Sequence, residues 1–349
     1  MQLMQATPPL LSVVMPVYNG AAYLTAAIES ILTQTHQDFE FIIADDGSTD
    51  DSAQLIHAYA ARDQRIRPLL LPHGGHAKAG NACVMAARGR WLARMDADDL
   101  ALPERLASQL AWLQQSNVVV GGCAYVKQFG QDERLLWFPE THHAIQHELL
   151  FRVGLLHATM MLPTALAQAN LYQAQSAFDD YEWQTRLVRT CRFGNLPQIL
   201  LKRRSHPTQV SVARDADFQA ERRAYRQPYF FQLFPEATPR DYAALMCASD
   251  RTACSSLAEL QLAGQWLVHL AKRQERQLRQ RMAERWQATC LRSAALGGGC
   301  YQIYRHFAPS FDADLPGATP KIQLASALRL SQDHLLLRAW RSVRQRRRV

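Results

Sequence analysis

Short, nearly unbroken apolar runs alternate along the first 120 residues with segments whose apolar positions recur every three or four residues. The runs at 12–17, 40–44, 66–71, 91–95 and 118–120 are rich in aliphatic residues and read as buried strands. Between them, Leu24, Ile28, Ile31 and Leu32 recur at helical spacing, and so do Leu55, Ile56 and Tyr59. Ser48, Thr49 and Asp50 are N-cap types ahead of the second of these helices. Residues 76–88 and 103–115 read as further helices, the latter opened by Pro103-Glu104. This alternation predicts an α/β unit with a mainly parallel sheet over residues 12–120. Residues 216–349 carry helical patterns only. One apolar stripe there is made by Leu257, Leu260, Ala263/Gly264, Leu267 and Leu270. A basic helix is expected over 273–292, and breaks at Gly297-Gly298-Gly299 and between Pro309 and Pro320.

Two predicted strands end in carboxylates, Asp45-Asp46 and Asp96-Ala97-Asp98-Asp99. Open α/β sheets bind ligands at the C-terminal ends of their strands. Alternate residues of an extended segment share a side, so Asp96 and Asp98 can converge. Clustered carboxylates repel unless a positive charge lies between them, and a hard divalent cation (Mg²⁺ or Mn²⁺) with a phosphate as co-ligand suits such a set. The alternative is a solvated acidic turn leading into a helix. No Gly-x-Gly-x-x-Gly follows the first strand and no Gly-x-x-x-x-Gly-Lys-Ser/Thr occurs, which argues against dinucleotide-binding and P-loop proteins.

Composition narrows the class. The chain has 349 residues, 48% of them hydrophobic, which is enough for a full enzyme core and a second unit. No apolar stretch approaches the ~20 residues of a membrane span, and no leader pattern is visible, so a cytoplasmic protein is expected. The seven cysteines are scattered and form no Cys-x-x-Cys pair, which predicts reduced, buried thiols and neither a disulfide frame nor a zinc site. The net charge of +8 is uneven: residues 1–213 hold 17 basic and 19 acidic side chains, and the excess lies beyond them. The basic end, from Leu335 to Arg348, carries Trp340 among its arginines and reads as a segment for an anionic membrane surface, or as a packed lid or solvated tail. Nucleic acid is not expected as a partner, because the front half is slightly acidic and supplies no reading motif.

The ordered set Val14-Met15-Pro16-Val17-Tyr18-Asn19, Asp45-Asp46-Gly47-Ser48-Thr49-Asp50, Asn81, Asp96-Ala97-Asp98-Asp99 and Pro103-Glu104-Arg105-Leu106 resembles the family 2 glycosyltransferases. The resemblance continues through His157, Asp179-Asp180-Tyr181-Glu182, Asn195-Leu196-Pro197 and Arg204-Ser205-His206, and covers about residues 10–212. It implies a GT-A fold, with a Rossmann-like, mainly parallel central sheet flanked by helices, over residues 1–214, and a basic helical extension over 215–349. It implies an inverting transfer of sugar from a nucleoside diphosphate, most often UDP, to a hydroxyl of a glycan or lipid-linked acceptor in surface-polysaccharide synthesis. By the same resemblance, Pro16, Val17, Tyr18 and Asn19 line the nucleotide pocket and Asp45 contacts the base, with Asp46 beside it. Asp96, Ala97 and Asp98 form the Asp-x-Asp signature, in which Asp98 is the direct metal ligand and Asp96 assists.

Asp180 matches the general base. Asp179 stands where the family has Glu, and it is placed with His157 toward the acceptor. His206 is expected to reach the metal or diphosphate. By the resemblance Asn81 also belongs to the nucleotide-sugar site; Gly80 stands beside it where Arg or Leu is usual, so Lys78 is expected to supply charge to a phosphate. The alternatives are turn and cap duty for Asn19, Asp46 and Asp50, a structural role for His206, and a core role for His157. At the level of the whole protein they are a scaffold that keeps the pocket without turnover, and a metal-dependent sugar nucleotidyltransferase. The turn Met15-Pro16-Val17-Tyr18-Asn19-Gly20 lacks the glycine-rich basic loop of the latter.

Overall fold

A computed structural model describes residues 9–129, 132–173, 179–206, 215–250, 252–272, 274–313, 318–331 and 334–335. The chain divides between Tyr225 and Arg226 into two compact units.

The first unit opens with β1 (Leu11–Val17), α1 (Ala21–Leu32), β2 (Phe39–Asp45), α2 (Ser52–Ala60), β3 (Ile66–Leu70), α3 (His76–Ala86) and β4 (Trp91–Arg94). These four strands pair in parallel in the order β3-β2-β1-β4. Every residue of β1 and β2 is buried, as expected of central strands covered by helices on both faces. Helix α1 turns Leu24, Ala27, Ile28 and Ile31 inward, the spacing of one helical face. Register pairs Val17 with Asp45 and Val14 with Arg94, so the chain leaves all three inner strands along one edge of the sheet.

After β4 come β5 (Leu100–Ala101), α4 (Arg105–Gln115), β6 (Val120–Phe129), β7 (Asp132–Leu136), α5 (His142–Glu148), β8 (Met161–Pro163), α6 (Thr164–Ala169), α7 (Asp179–Leu187) and β9 (Phe193–Arg204). The sheet continues past β4 as β8-β6-β9-β5, with β7 as a hairpin on β6. This half is mixed. β8 runs antiparallel to β4 and β6, β5 antiparallel to β9, and β6 parallel to β9. The parallel pairing therefore runs unbroken through β3-β2-β1-β4 and recurs between β6 and β9. Long β9 carries its end to the edge where β4 stops, and that return brings residues 203–206 to the acidic strand end.

The second unit is helical among the described residues: α8 (Asp215–Leu233), which contains the division point, α9 (Pro239–Ser249), α10 (Leu257–Ala271), α11 (Arg276–Arg292), α12 (Gly298–Phe307) and α13 (Ala318–Ala327). The stripe on α10 is buried at Leu260, Ala263, Gly264, Leu267 and Leu270, whereas Leu257 stays half exposed. Helix α9 starts at a full capping box, in which Thr238 Oγ1 accepts from Asp241 N while the Asp241 carboxylate accepts from Thr238 N. The basic segment from residue 336 onward lies outside the described residues. No described helix is long and apolar enough to cross a membrane.

Candidate active site

The turn after β1 and the turn after β2 are built on each other. Asn19 sits at φ 48°, and its side-chain oxygen accepts from Thr49 N at 2.8 Å. Asn19 N donates to Ser48 Oγ, Gly20 N to Ser52 Oγ, and Ala21 N to the Asp50 carboxylate, each at 2.9–3.0 Å. Gly47 at φ +70° lets the second turn lie against the His73 backbone, where a Cβ would come within 2.7 Å of His73 N. Asp46 is buried and committed to this assembly. Its two oxygens accept from Gly74 N and Gly75 N at 2.8 and 2.9 Å, and His73 Nδ1 lies 3.0 Å from Oδ2. Asn19, Asp46 and Asp50 thus hold the loops that carry their neighbours.

Asp45 differs from Asp46. It is 4% exposed, and one oxygen accepts from Ser48 N at 3.2 Å while the other is buried with no hydrogen-bond partner. A buried carboxylate oxygen without a donor is costly unless a ligand supplies one. Beside it, the half-exposed ring of Tyr18 stacks on His73 with centroids 4.3 Å apart. A flat group and an unpaired acceptor together describe a site for a planar N–H-bearing ring. Pro16 and Val17 form the floor, paired with Ala44 and Asp45.

The second acidic group lies past β4. Met95 N still bonds Val14 O, and the chain then turns, with Asp99 N reaching back to Asp96 O. Asp96, Asp98 and Asp99 each place one carboxylate oxygen within 4.8 Å of the others. Asp99 is almost fully buried. It accepts from Arg204 N through Oδ1, and its Oδ2 has no hydrogen-bond donor. Burial first, and then the charges of Asp98 and Asp96, push its pKa well above the ordinary carboxylate value. Asp98 Oδ2 lies 3.0 Å from His206 Nε2, and the His206 ring stacks on Tyr23 of α1. Burial alone would lower the pKa of Arg203, but Tyr125 and the carboxylates of Asp99, Asp96 and Asp98 raise it. Ala97 packs toward the β1 turn, since a Cβ on Gly20 would sit 3.7 Å from its own. Three converging carboxylates, of which Asp96 and Asp99 each have a donorless buried oxygen, and an adjacent imidazole make an oxygen-rich set that fits a hard divalent cation.

On the other side, Asp96 meets a polar wall that sequence reading did not assemble. Arg94, the one charge in β4, is fully buried. Its Nη2 donates to His76 Nε2 at 2.8 Å and lies 3.4 Å from Asp96 Oδ1. His157 is buried, shares a 2.8 Å hydrogen bond with the Tyr172 hydroxyl, and comes within 4.8 Å of Asp96 and His76. The side chain of Asn81 clamps Tyr172 in both directions, donating to its carbonyl and accepting from its N–H, each at 2.9 Å. Tyr172 in turn packs on Trp183 of α7. Helix α7 is further fixed by Gln184, whose amide oxygen accepts from Gly154 N and Leu155 N. Asp180 lies one turn before Trp183 on this anchored helix, whereas the side chain of Asp179 lies outside the described residues. Lys78 is exposed, with its stem over Gly74.

The sequence signal for the wall was the solitary Arg94 in a buried strand. Nothing in the sequence marked a role for His73, His76, Tyr172 or Arg203, which arrive from loops, from the first turn of α3 and from the unrecognised strand β9.

Comparison with known proteins agrees with this architecture. Residues 12–173 match the family model "Glycosyl transferase family 2". The O-antigen biosynthesis glycosyltransferase WbnJ of Escherichia coli is 31% identical over 204 residues, which are 56% of this chain and 80% of WbnJ. An uncharacterized glycosyltransferase of Rickettsia felis is 32% identical over 162 residues, 46% of this chain and only 26% of that protein. The chain thus spans about a quarter of the length of such longer relatives. Among solved structures, S. aureus TarS 1–349 in complex with UDP-GlcNAc superposes with a TM-score of 0.50 at 17% identity, over 90% of each chain. Mannosyltransferase PcManGT from Pyrobaculum calidifontis, in complex with GDP-Man and Mn²⁺, gives 0.50 at 17%, over 93% of this chain and 87% of that one. By sequence and by fold, the chain belongs to the family 2 glycosyltransferases and carries the GT-A fold.

Proposed function

We propose that this chain moves a sugar from a nucleoside diphosphate sugar, a UDP-sugar first among them, to the hydroxyl of a glycan or lipid-linked acceptor, with inversion at the anomeric carbon. The observation that carries the reading is the pairing, on one sheet edge, of an unpaired buried acceptor at Asp45 with the converging Asp96, Asp98 and Asp99. Tyr18 and Asp45 take the base. Asp98 and Asp96, with His206 beside them, would hold Mn²⁺ or Mg²⁺, which would supply positive charge against that growing on the departing diphosphate.

The protein's own groups do the rest. Lys78 lies in the first turn of α3, near where the phosphates would sit, and adds positive charge. Arg94 holds Asp96 in place from behind. Asp180 accepts the acceptor's proton as its oxygen attacks from the face opposite the leaving group. His157, within 4.8 Å of Asp96, stands with Asp179 on the acceptor side in this reading. TarS binds UDP-GlcNAc and PcManGT binds GDP-Man with Mn²⁺, which supports a nucleotide-sugar donor of either base class. The name of WbnJ supports a role in surface-polysaccharide synthesis. Action at the inner membrane face, through the basic end of the chain, completes the proposal.

The test is a thermal shift of the protein with Mn²⁺ and a panel of UDP-, GDP- and dTDP-sugars. A donor at 100 times its Kd adds about 2.7 kcal/mol of stability. A metal-dependent shift with one donor, lost in Asp98→Ala, is expected. Absence of a shift with every donor overturns the reading, and a shift without donor hydrolysis or sugar transfer leaves the scaffold that binds without turnover.

A further inference from the structure

The second unit brings together thiols that the sequence scatters. Cys247 lies near the end of α9, Cys254 in the turn that follows, and Glu259 in the first turn of α10. One sulfur from each cysteine and one carboxylate oxygen of Glu259 lie within 4.8 Å of one another, and both cysteines are buried. The Cys247 Sγ to Glu259 Oε1 distance is 3.4 Å. A tetrahedral Zn²⁺ with Zn–S of about 2.3 Å and Zn–O of about 2.1 Å separates such a pair by about 3.6 Å.

The supporting contacts orient these groups. Glu259 Oε2 accepts from both Ser255 N and Ser255 Oγ at 2.6 Å, which leaves Oε1 facing Cys247. Arg292 of α11 holds the loop at two points, donating to Cys247 O at 3.3 Å and to Thr252 O at 3.0 Å. Ser293 Oγ takes the N–H of Cys254. Ligands held by such outer contacts are the mark of a formed metal site.

We propose that Cys247, Cys254 and Glu259 bind one thiophilic divalent cation, Zn²⁺ by its preference for sulfur, with water at the fourth position. The sequence offered no sign of it, because the ligands follow neither a Cys-x-x-Cys nor a Cys/His spacing. Binding displaces the two thiol protons and turns three groups that would repel as anions into ligands of one charge: M²⁺ plus two Cys–SH gives the dithiolate complex and two H⁺. The ion would tie α9, its following turn and α10 into one unit.

Cobalt(II) tests this on the full-length chain, reduced, stripped with EDTA and desalted. One equivalent of Co²⁺ is expected to give a thiolate-to-metal charge-transfer band in the near ultraviolet, which Zn²⁺ then abolishes. Carboxylate and imidazole sites, including the Asp96–Asp98 cluster, give no such band, so the two sites report separately. Ser255→Ala should weaken Co²⁺ binding about tenfold with the band retained. Cys254→Ser should remove the band, and Cys300→Ser should leave it unchanged. The proposal is overturned if the parent protein shows no charge-transfer band, if Cys254→Ser keeps it, or if alkylation and mass spectrometry find Cys247 and Cys254 joined as a disulfide in protein that binds no Co²⁺.

Discussion

Asp45→Asn separates binding from stability at the proposed base site. Asp45 keeps one oxygen on Ser48 N and leaves the other buried without a donor. An N–H from a bound base would make a charge-assisted hydrogen bond there, worth about 1.5–3 kcal/mol. At about 1.36 kcal/mol per decade, its loss weakens donor affinity about 10- to 150-fold. Asparagine preserves the bond to Ser48 N and puts an NH₂ where the acceptor stood. In the free protein this removes a buried carboxylate oxygen that has no donor, so unfolding stability should change by less than about 1 kcal/mol.

The assay is calorimetric titration of UDP in excess Mn²⁺, paired with urea unfolding of the ligand-free protein. CDP supplies a sharper control. Cytosine presents an acceptor at N3 where uracil carries N–H, so the variant should lose much less affinity for CDP than for UDP. Unchanged UDP affinity in a stable variant would remove Asp45 from the base site. Parallel losses of stability and affinity would make it a structural residue only.

Other consequences follow from the same contacts. Asp180→Asn should abolish sugar transfer and leave the donor Kd within about twofold, since the base acts on the acceptor alone; a transferring variant refutes the assignment. Buried Glu40 takes hydrogen bonds from Ser12 Oγ, Arg88 and Arg67. Burial opposes its ionisation, but these bonds outweigh burial and leave its pKa below the ordinary 4.5. The stability it contributes is therefore complete above pH 4.5 and falls away as pH drops through the depressed folded value. Glu40→Gln should cost about 1–3 kcal/mol at pH 7 and flatten the acid limb of the stability curve, measured by urea unfolding across pH 3–7. Gly47→Ala should cost about 1–3 kcal/mol through positive φ and contact with the His73 backbone. Gly47→Asn should not rescue it, because the contact remains; a full rescue would assign the whole cost to φ.

The N-terminal half of the sheet was legible because each strand there is a short aliphatic run bounded by turn chemistry, and β1, β2 and β4 fall where those runs lie. The rest was hidden for local reasons. β8 has three residues, β5 has two, and β9 carries Pro197 and Gln198 inside its twelve. No period-2 pattern survives such interruptions. Without β9, the route by which Arg203, Arg204 and His206 reach the acidic loop could not be drawn. Conversely, Asp45 and Asp46 look alike in sequence, and only their partners separate an acceptor left open from one spent on Gly74 and Gly75.

The strand order also dictates when the site can exist during synthesis. β1 to β4 pair among themselves and can assemble as soon as residue 94 has emerged. β6 finds its main partner only in β9, and Asp99 meets the backbone of Arg204 across a separation of 105 residues. Closing that loop is slow relative to the local pairings that precede it. A nascent chain halted before residue 204 therefore owns a nearly complete nucleotide half with its acidic loop still open to solvent, and burial of Asp99 marks the end of domain folding. The acidic loop takes its final form only after the last strand of the sheet has been made.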